Sequence, residues 1–285
     1  MLKKINIGAG SRWFKEGWEI LDNGSGKFKE SWQHYGNMWD SKLPSNEYDI
    51  VYTSQTLEHV PHFKNEQTIA EFNRILKVGG LVRISVPDLR KAANAYINNE
   101  INFFKGNHFS DHLGIGGLFV NRIISPGNQT LALNRGFNEI IGSYAHLYAY
   151  DCEMLKILLK KWGFGDVAQT EYCKSSVKEL REKLTIVYNN RNYSLNDESA
   201  RNKLKSDTIA YYTGFDHSPH KSLFVEAKKF NNESYKIIKE YKYNRRNRLE
   251  DDKLIKIKLL CFYRIVIAFL QKFSERIFKL KNTVI

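Results

Sequence analysis

Two glycines separated by one residue follow the first predicted strand of the sequence. The strand covers Lys3–Ile7, and the turn Gly8-Ala9-Gly10 comes directly after it. Glycines in such a turn let the backbone approach a ligand closely and leave amide groups free to bind it. A dinucleotide-binding fingerprint would have a third glycine at position 13, where this sequence has Trp13. The turn alone is therefore compatible with a ligand site or with a plain tight turn.

Two carboxylates stand where they could extend such a site. Asp22 ends the second predicted strand, Trp18–Leu21, and could accept hydrogen bonds from both hydroxyls of a ribose. The alternative is a turn aspartate, because Asp22 precedes Asn23-Gly24. Asp40 comes shortly before the third strand and could accept from an exocyclic adenine amine. Its alternatives are a loop charge or a helix cap.

The elements that must position these residues alternate between strand and helix. This order predicts an α/β fold with a parallel sheet and crossover helices. Gly79-Gly80 follows the first helix and is predicted to end it. The predicted strands after Trp18–Leu21 are Tyr48–Thr53, Leu81–Val86, Asp166–Cys173 and Ser222–Ala227, and the predicted helices are Gln67–Leu76, Asp151–Trp162 and Val177–Tyr188.

Over residues 1–228, the order and spacing of several segments resemble the class I S-adenosylmethionine-dependent methyltransferases, in their type 11-like branch. The resemblance implies a Rossmann-like, mostly parallel sheet with helices on both faces and an antiparallel seventh strand beside the sixth. Ala9 stands where many relatives carry cysteine. The segments that carry the resemblance are Ile5–Gly10, Gly17–Asp22, Leu43-Pro44, Tyr48–Ser54, Leu57-Glu58-His59-Val60, Glu71–Gly80, Ser85–Leu89, His146–Asp151, Trp162–Phe164 and Ser218–Ala227.

The resemblance also implies a cofactor and the residues that hold it. S-adenosyl-L-methionine would lie with its methionine end over Gly8, Ala9 and Gly10. Asp22 would bind the ribose, and Asp40 would face the adenine amine. The resemblance assigns the lining of the methyl-donor pocket to Ser54, Gln55 and His59.

Methyl transfer from a sulfonium is an in-line displacement, so catalysis depends on alignment and, for a hydroxyl acceptor, on a partner for its proton. The predicted catalytic residues are His59, Asp88 and His146. His59 could equally be a structural histidine at the head of a helix, and Asp88 could cap a helix over Leu89–Ile97. The other candidate bases are His108, Asp111, His112, Tyr148 and Tyr150.

A metal site is not predicted from the sequence. His108 and His112 have the i, i+4 spacing of a metal-binding pair on a helix. No third ligand is evident beside them, and three glycines follow closely. The three cysteines, Cys152, Cys173 and Cys261, are far apart and are expected to be reduced thiols.

The predicted domain covers residues 1–230, with two long insertions at 88–150 and 174–221. Both insertions leave from the cofactor-binding face of such a sheet and would cover the acceptor. This predicts a large acceptor, and O-methylation of a sugar of a cell-surface glycan or its precursor. The aromatic residues that could bind a sugar, or could instead form the core of the insertion, are Phe103, Phe104, Phe109, Phe119, Tyr144 and Tyr148.

Other functions remain open at this point. The chain could be a non-catalytic cofactor-binding module, or scaffold, in a glycan-assembly complex. It could also methylate another small molecule or RNA. The net charge of +13 argues little for nucleic acid, because residues 231–285 hold 14 Lys/Arg against 6 Asp/Glu and the first 230 residues carry only +5.

The basic segment 231–285 contains an amphipathic helical pattern over 253–281. It could lie on an anionic membrane surface, pair with a second copy in a homodimer, or pack on its own domain. Its apolar part is interrupted by Arg264 and is too short to span a bilayer. The expected location is the cytoplasm, or the inner face of the membrane if the helix binds lipid.

Deleting residues 250–285 should leave cofactor binding intact, because the last predicted strand of the domain ends at Ala227. The deletion should also release the protein from anionic vesicles, at roughly 1 kcal/mol per basic residue near the surface. Vesicle co-sedimentation and solution mass, each with and without the segment, check this. A full-length chain that ignores vesicles and becomes monomeric only on truncation would favour the dimer instead.

Overall fold

The structure is a computed structural model, and it describes residues 2–10, 12–23, 33–104, 111–125, 145–206 and 209–230. The chain divides into two units, Met1–Tyr235 and Lys236–Ile285. The second unit, with the predicted amphipathic helix, lies outside the described residues. So do His108, Phe109 and Tyr144.

A seven-stranded sheet organises the first unit. Its spatial order is β3-β2-β1-β4-β5-β10-β6, and the first five strands of that order pair in parallel. β10 runs antiparallel between β5 and β6. The predicted Rossmann-like sheet with an antiparallel seventh strand is thereby confirmed. The strands are β1 Lys4–Ile7, β2 Glu19–Asp22, β3 Gln33–Tyr35, β4 Tyr48–Ser54, β5 Leu76–Pro87, β6 Phe164–Thr170 and β10 Ser222–Lys229.

The central strands are apolar runs rather than alternating patterns. β5 is buried at every residue from Leu81 to Pro87, and β4 is buried over most of its length. Strands have such continuous buried runs when both faces of their sheet are covered by other elements. The helices are α1 Asn65–Ile75, α2 Leu89–Ile97, α3 Gly114–Ile124, α4 Cys152–Lys161 and α5 Glu198–Ser206. None of these helices has the length and hydropathy needed to cross a bilayer.

Three predicted elements were wrong in detail. The first helix ends at Ile75, and the strand begins at once with Leu76, so Gly79-Gly80 lies within β5 and does not end the helix. Val177–Tyr188 holds only a short 3-10 helix, followed by a strand. β6 ends at Thr170, three residues before the predicted end.

The described part of the second insertion forms a separate three-stranded sheet. Its strands are β7 Thr185–Tyr188, β8 Arg191–Tyr193 and β9 Tyr211–Thr213, in the order β8-β7-β9. The segment after β1 joins this sheet, because Trp13 Nε1 donates to the Gly214 carbonyl oxygen at 2.7 Å. Trp13 and Trp18 pack there against Phe215. This insertion therefore covers the β1–β2 side of the main sheet.

A buried arginine ties the same insertion to the centre of the sheet. Arg83 of β5 is fully buried and pairs with the carboxylates of Asp216 and Glu226. Its Nη1 also donates to Thr170 Oγ1 at 2.8 Å. A buried cation is tolerated when it is paired and hydrogen-bonded in this way. Asp216 thus fixes the chain shortly before it enters β10.

The first insertion has a small apolar core of its own. Phe104 and Leu118 are buried with two alanines of α2, and Phe103 and Phe119 pack against them. Phe119 also stacks on Tyr96, with ring centroids 4.9 Å apart. These three phenylalanines therefore stabilise the insertion, which was one of the two interpretations open from the sequence.

Candidate active site

The carboxyl ends of the parallel strands meet at one edge of the main sheet. Gly8-Ala9-Gly10 follows β1, Asp22 ends β2, Ser54 ends β4 and Asp88 follows β5. The residues predicted from separate parts of the sequence are thus brought to one edge. In open α/β sheets this edge is where ligands bind.

The two glycines of the turn have different physical reasons to be glycine. Both have positive φ, +74° at Gly8 and +75° at Gly10. A Cβ at Gly8 would collide with the Thr56 side chain, whose hydroxyl donates to the Gly8 carbonyl oxygen at 3.1 Å. A Cβ at Gly10 would meet no atom of the described residues within 4 Å. Gly8 is therefore required for packing, and Gly10 leaves open space at the edge of the sheet.

Asp22 closes this turn from the neighbouring strand. Its Oδ2 accepts a hydrogen bond from the Gly10 amide at 2.9 Å. Its carbonyl oxygen accepts from the Gly36 amide at 3.1 Å, which joins it to the chain after β3. Asp40 lies further along that chain, half-exposed, and pairs with Lys42 Nζ at 2.8 Å. Asp40 thus follows β3 on the Asp22 side of the sheet, and its adenine-binding role stays a prediction.

Ser54 and Gln55 shape the end of β4. The Ser54 hydroxyl is buried and has no hydrogen-bond partner among the described residues. Gln55 has a φ of +50°, its amide donates to the Ser85 carbonyl oxygen at 2.8 Å, and its Nε2 donates to Ser222 Oγ at 3.3 Å. Positive φ is uncommon for a residue with a side chain. The chain is thus turned sharply where the sheet edge opens.

The segment 145–150 returns from the first insertion and is attached to this edge. The amides of Leu147 and Tyr148 donate to the Glu58 carbonyl oxygen at 2.8 and 3.1 Å. The Leu89 amide donates to the Tyr150 carbonyl oxygen at 2.9 Å. The segment thereby spans the ends of β4 and β5 and carries His146 to the site.

His59 and His146, two of the predicted catalytic residues, lie side by side. Their ring centroids are 5.1 Å apart. His59 Nδ1 bonds to the Ala145 carbonyl oxygen and His146 Nδ1 to the Arg122 carbonyl oxygen, each at 2.8 Å. A carbonyl oxygen only accepts, so each Nδ1 carries the proton and each Nε2 holds a lone pair in the neutral ring. Burial lowers the pKa of both rings, that of His146 to about 4.

Glu58 was not predicted as a site residue from the sequence, although it directly precedes His59 in the segment Leu57-Glu58-His59-Val60. Its side chain is only 2 % exposed, and burial raises its pKa to about 8. Its Oε1 lies 4.0 Å from the Nε2 of His59 and 4.0 Å from the Nε2 of His146. The signal that could have found it is an acidic residue next to a candidate histidine.

Asp88, the third predicted catalytic residue, caps a helix. Its Oδ1 accepts from the Arg90 and Lys91 amides at 3.0 and 3.2 Å, at the start of α2. This is the structural alternative that the sequence left open. Asp88 also lines a small, shallow cleft, together with Pro87, Leu89, Ala92, Arg122, Ile123, His146, Tyr148 and Ala149.

Of the remaining candidate bases that the structure describes, one lines the cleft and the others do not. Tyr148 lines the cleft and stacks on His62, with ring centroids 4.7 Å apart. Tyr150 is fully buried beside it. Asp111 and His112 belong to the short 3-10 helix Asp111–Leu113, before α3.

Part of the chain that forms this sheet edge is similar to a known protein family. Residues 22–84 match the family model described as a methyltransferase domain. That range contains the end of β2, all of β4 and most of β5, so it includes Asp22, Ser54 and His59. The sheet order, with β10 antiparallel beside β6, is the one that the resemblance implied. This family match supports the resemblance to the class I S-adenosylmethionine-dependent methyltransferases, in their type 11-like branch.

Solved structures with similarity to this methyltransferase have low identity to it. A methyltransferase from Thermotoga maritima, described as a possible histamine N-methyltransferase, is 14% identical over 80% of this chain and 82% of its own, with a TM-score of 0.37. One from Archaeoglobus fulgidus is 18% identical over 80% and 86%, with a TM-score of 0.39. Phosphoethanolamine N-methyltransferase 2 from Haemonchus contortus, in complex with S-adenosyl-L-methionine, is 13% identical over 81% and 50%, with a TM-score of 0.38. No curated protein matches the chain.

The cofactor of the domain is S-adenosyl-L-methionine, and the residues at the sheet edge fit it. The open space at Gly10 admits a ligand close to the backbone. The Asp22 carboxylate stands within reach of the same turn. The buried Ser54 hydroxyl lies at the end of the adjacent central strand. A glycine turn with an acidic residue on the next strand is the arrangement that binds a nucleoside in such folds.

Replacing Gly10 by valine should weaken binding of S-adenosylhomocysteine at least tenfold, because the side chain would fill the open space at the turn. Gly79→Val is the matched control. Gly79 also has a positive φ, +80°, and no described atom lies within 4 Å of its Cβ position. It lies near the amino end of β5, whereas Gly10 lies beyond the carboxyl end of β1. Both variants should lose about 1–2 kcal/mol of stability from backbone strain. Calorimetric titration of the two folded variants measures the difference, and equal affinities would remove Gly10 from the site.

Proposed function

We propose that this methyltransferase transfers the methyl group of S-adenosyl-L-methionine to a hydroxyl of a sugar, in a cell-surface glycan or its precursor. The observation that carries the proposal is the cleft beside the cofactor edge, where His146 and Tyr148 stand together. A neutral imidazole is a partner for a hydroxyl proton, and an aromatic ring is a surface on which a sugar can lie.

The residues on the donor side, at the ends of β1 and β2, would hold and orient the cofactor. S-adenosyl-L-methionine would supply a methyl group carried on a sulfonium. The rest of the molecule would leave as a neutral thioether. Asp22 binds the ribose hydroxyls by charge-assisted hydrogen bonds, which are stronger than neutral ones. The Gly8–Gly10 turn lets the ligand lie against the backbone, and Asp40 faces the adenine amine. Ser54 and Gln55 border the space between this side and the cleft.

The residues on the acceptor side, around the cleft, would take up the proton of the acceptor hydroxyl. A sugar hydroxyl that gains a methyl group must lose its proton, and His146, whose Nδ1 bonds to the Arg122 carbonyl oxygen, lines the cleft. His59 lies against it and is held in the same tautomer by its own backbone carbonyl. Asp88 borders the cleft and fixes the start of α2, so its role is to position the cleft wall.

The lining of the cleft favours a polar ring as acceptor. Arg122, Asp88 and His146 offer donors and acceptors, and Tyr148 offers an aromatic face. A site with a few convergent polar groups around an aromatic surface selects ligands that are polar at the edges and apolar on a face. A pyranose sugar has these properties.

Replacing His146 by glutamine should lower kcat about 10²- to 10⁴-fold, the usual contribution of a general base, with affinity for S-adenosylhomocysteine unchanged. The assay follows tritiated methyl from S-adenosyl-L-methionine into glycan, small-molecule and RNA fractions of envelope and cell extracts. His34→Gln is the control, because His34 lies in β3 and pairs with Glu19 at 2.7 Å, away from the cleft.

Three outcomes contradict the proposal. Label that enters RNA, or only a small molecule without a sugar, would give the domain another acceptor. Full turnover by the His146 variant would remove that residue from proton transfer. Binding of the cofactor with no labelled product from any fraction would favour a cofactor-binding scaffold.

A further inference from the structure

Three side chains with metal-ligating atoms converge beside the cleft. Glu58 and His59 belong to the short 3-10 helix Leu57–His59, and His146 comes from the returning segment. One ligand atom from each lies within 4.8 Å of the other two. The carboxylate Oε1 is 4.0 Å from each imidazole Nε2.

Both imidazoles are oriented as metal ligands are. Each donates its Nδ1 proton to a backbone carbonyl oxygen, His59 to Ala145 and His146 to Arg122, at 2.8 Å. A histidine bound to a metal nearly always donates its other ring N–H in this way, which fixes the ring and raises its basicity. The two Nε2 lone pairs are therefore fixed beside one carboxylate.

The carboxylate of Glu58 lacks the partners that burial demands. Glu58 is 1 % exposed, and neither of its oxygens has a hydrogen-bond partner among the residues that the structure describes. Leaving a buried carboxylate without a partner is costly. Burial raises the pKa of Glu58, and the charge of the Arg122 guanidinium only partly offsets this. A cation among Glu58, His59 and His146 would give the carboxylate a partner through Oε1.

We propose that Glu58, His59 and His146 bind one divalent transition-metal ion, of the zinc, cobalt, iron or manganese class. Two imidazole nitrogens and one carboxylate oxygen are donors that such ions prefer, whereas Mg²⁺ and Ca²⁺ prefer oxygen ligands. Three protein ligands leave a coordination position open.

The spacing requires a small contraction when the ion binds. Bonds of about 2.0–2.1 Å in a tetrahedral zinc site put neighbouring ligand atoms about 3.4 Å apart. The two Glu58–histidine separations of 4.0 Å must therefore shorten by roughly half an ångström. Both histidines are partly exposed, His59 at 23% and His146 at 16% of the side chain, so the rings have room to move and the ion has a route in.

The metal site stands on this geometry and needs no assumption about the acceptor. Its place beside the cleft adds a consequence that rests on the proposed function. With an ion bound, the acceptor hydroxyl would occupy the open coordination position, and the ion would lower its pKa. The imidazoles would then hold the ion, and the hydroxyl proton would pass to solvent water, so in the metal-bound enzyme His146 would act as a ligand and not as the base.

The test uses the full-length chain without a histidine tag, stripped with a chelator and then titrated with Zn²⁺ or Co²⁺. We expect one ion per chain by elemental analysis of the dialysed protein, and visible Co²⁺ absorption bands of a four- or five-coordinate site. Glu58→Gln and His146→Ala should each weaken binding at least tenfold. His34→Gln, which alters a histidine–glutamate pair elsewhere, should leave it unchanged.

Glu58→Gln is expected to fold, because an amide of the same size replaces a buried carboxyl group that has no hydrogen bond in the described residues. Zn²⁺ should raise the Tm of the wild-type chain and leave that of Glu58→Gln unchanged. Less than a tenth of an equivalent of ion in the folded wild-type chain, or equal binding by Glu58→Gln and His146→Ala, would overturn the proposal. These measurements contain no methyl donor or acceptor, so their failure is separate from failure of the methyl-transfer assay.

Discussion

Two backbone hydrogen bonds, from the Leu147 and Tyr148 amides to the Glu58 carbonyl oxygen, hold the returning segment at the end of β4. A third, from the Leu89 amide to the Tyr150 carbonyl oxygen, holds it at the end of β5. Without these bonds His146 would have no fixed position relative to His59, and the cleft would lose one wall. Both the proton-transfer role and the metal site depend on this attachment.

The sheet imposes the second constraint, because parallel strands collect their carboxyl ends at one edge. The β1 and β2 ends supply the glycine turn and Asp22, which suit a nucleoside, and the β4 and β5 ends supply the histidines and the cleft. Donor and acceptor sides are therefore adjacent by topology, which is the positioning that an in-line transfer requires. The buried Arg83 cluster and the second sheet support this edge from elsewhere, by fixing the chain before β10 and covering the β1–β2 side.

The sequence predicted the sheet well, because its signals are local, and the signals for a cofactor-binding turn are local too. A strand followed by Gly8-Ala9-Gly10, or one ended by Asp22, can be read within a few residues. The acceptor half could not be read in this way, since the His59–Ala145 contact joins residues 86 positions apart. Val177–Tyr188 was predicted as a helix, yet Thr185–Tyr188 is held as a strand by pairing with β8 and β9, which come from later parts of the chain. Glu58 was missed because burial, and not spacing, makes it unusual.

The central claim is that the carboxyl edge between β1 and β2 binds S-adenosyl-L-methionine through Asp22. Calorimetric titration of S-adenosylhomocysteine into the full-length chain and into Asp22→Ala tests it most directly. The account predicts saturable binding that Asp22→Ala weakens by roughly 1–3 kcal/mol, the usual value of a lost charge-assisted pair of hydrogen bonds. Asp49→Ala, at the amino end of β4, should bind like the wild type. Equal affinity of Asp22→Ala and the wild-type chain would contradict the account.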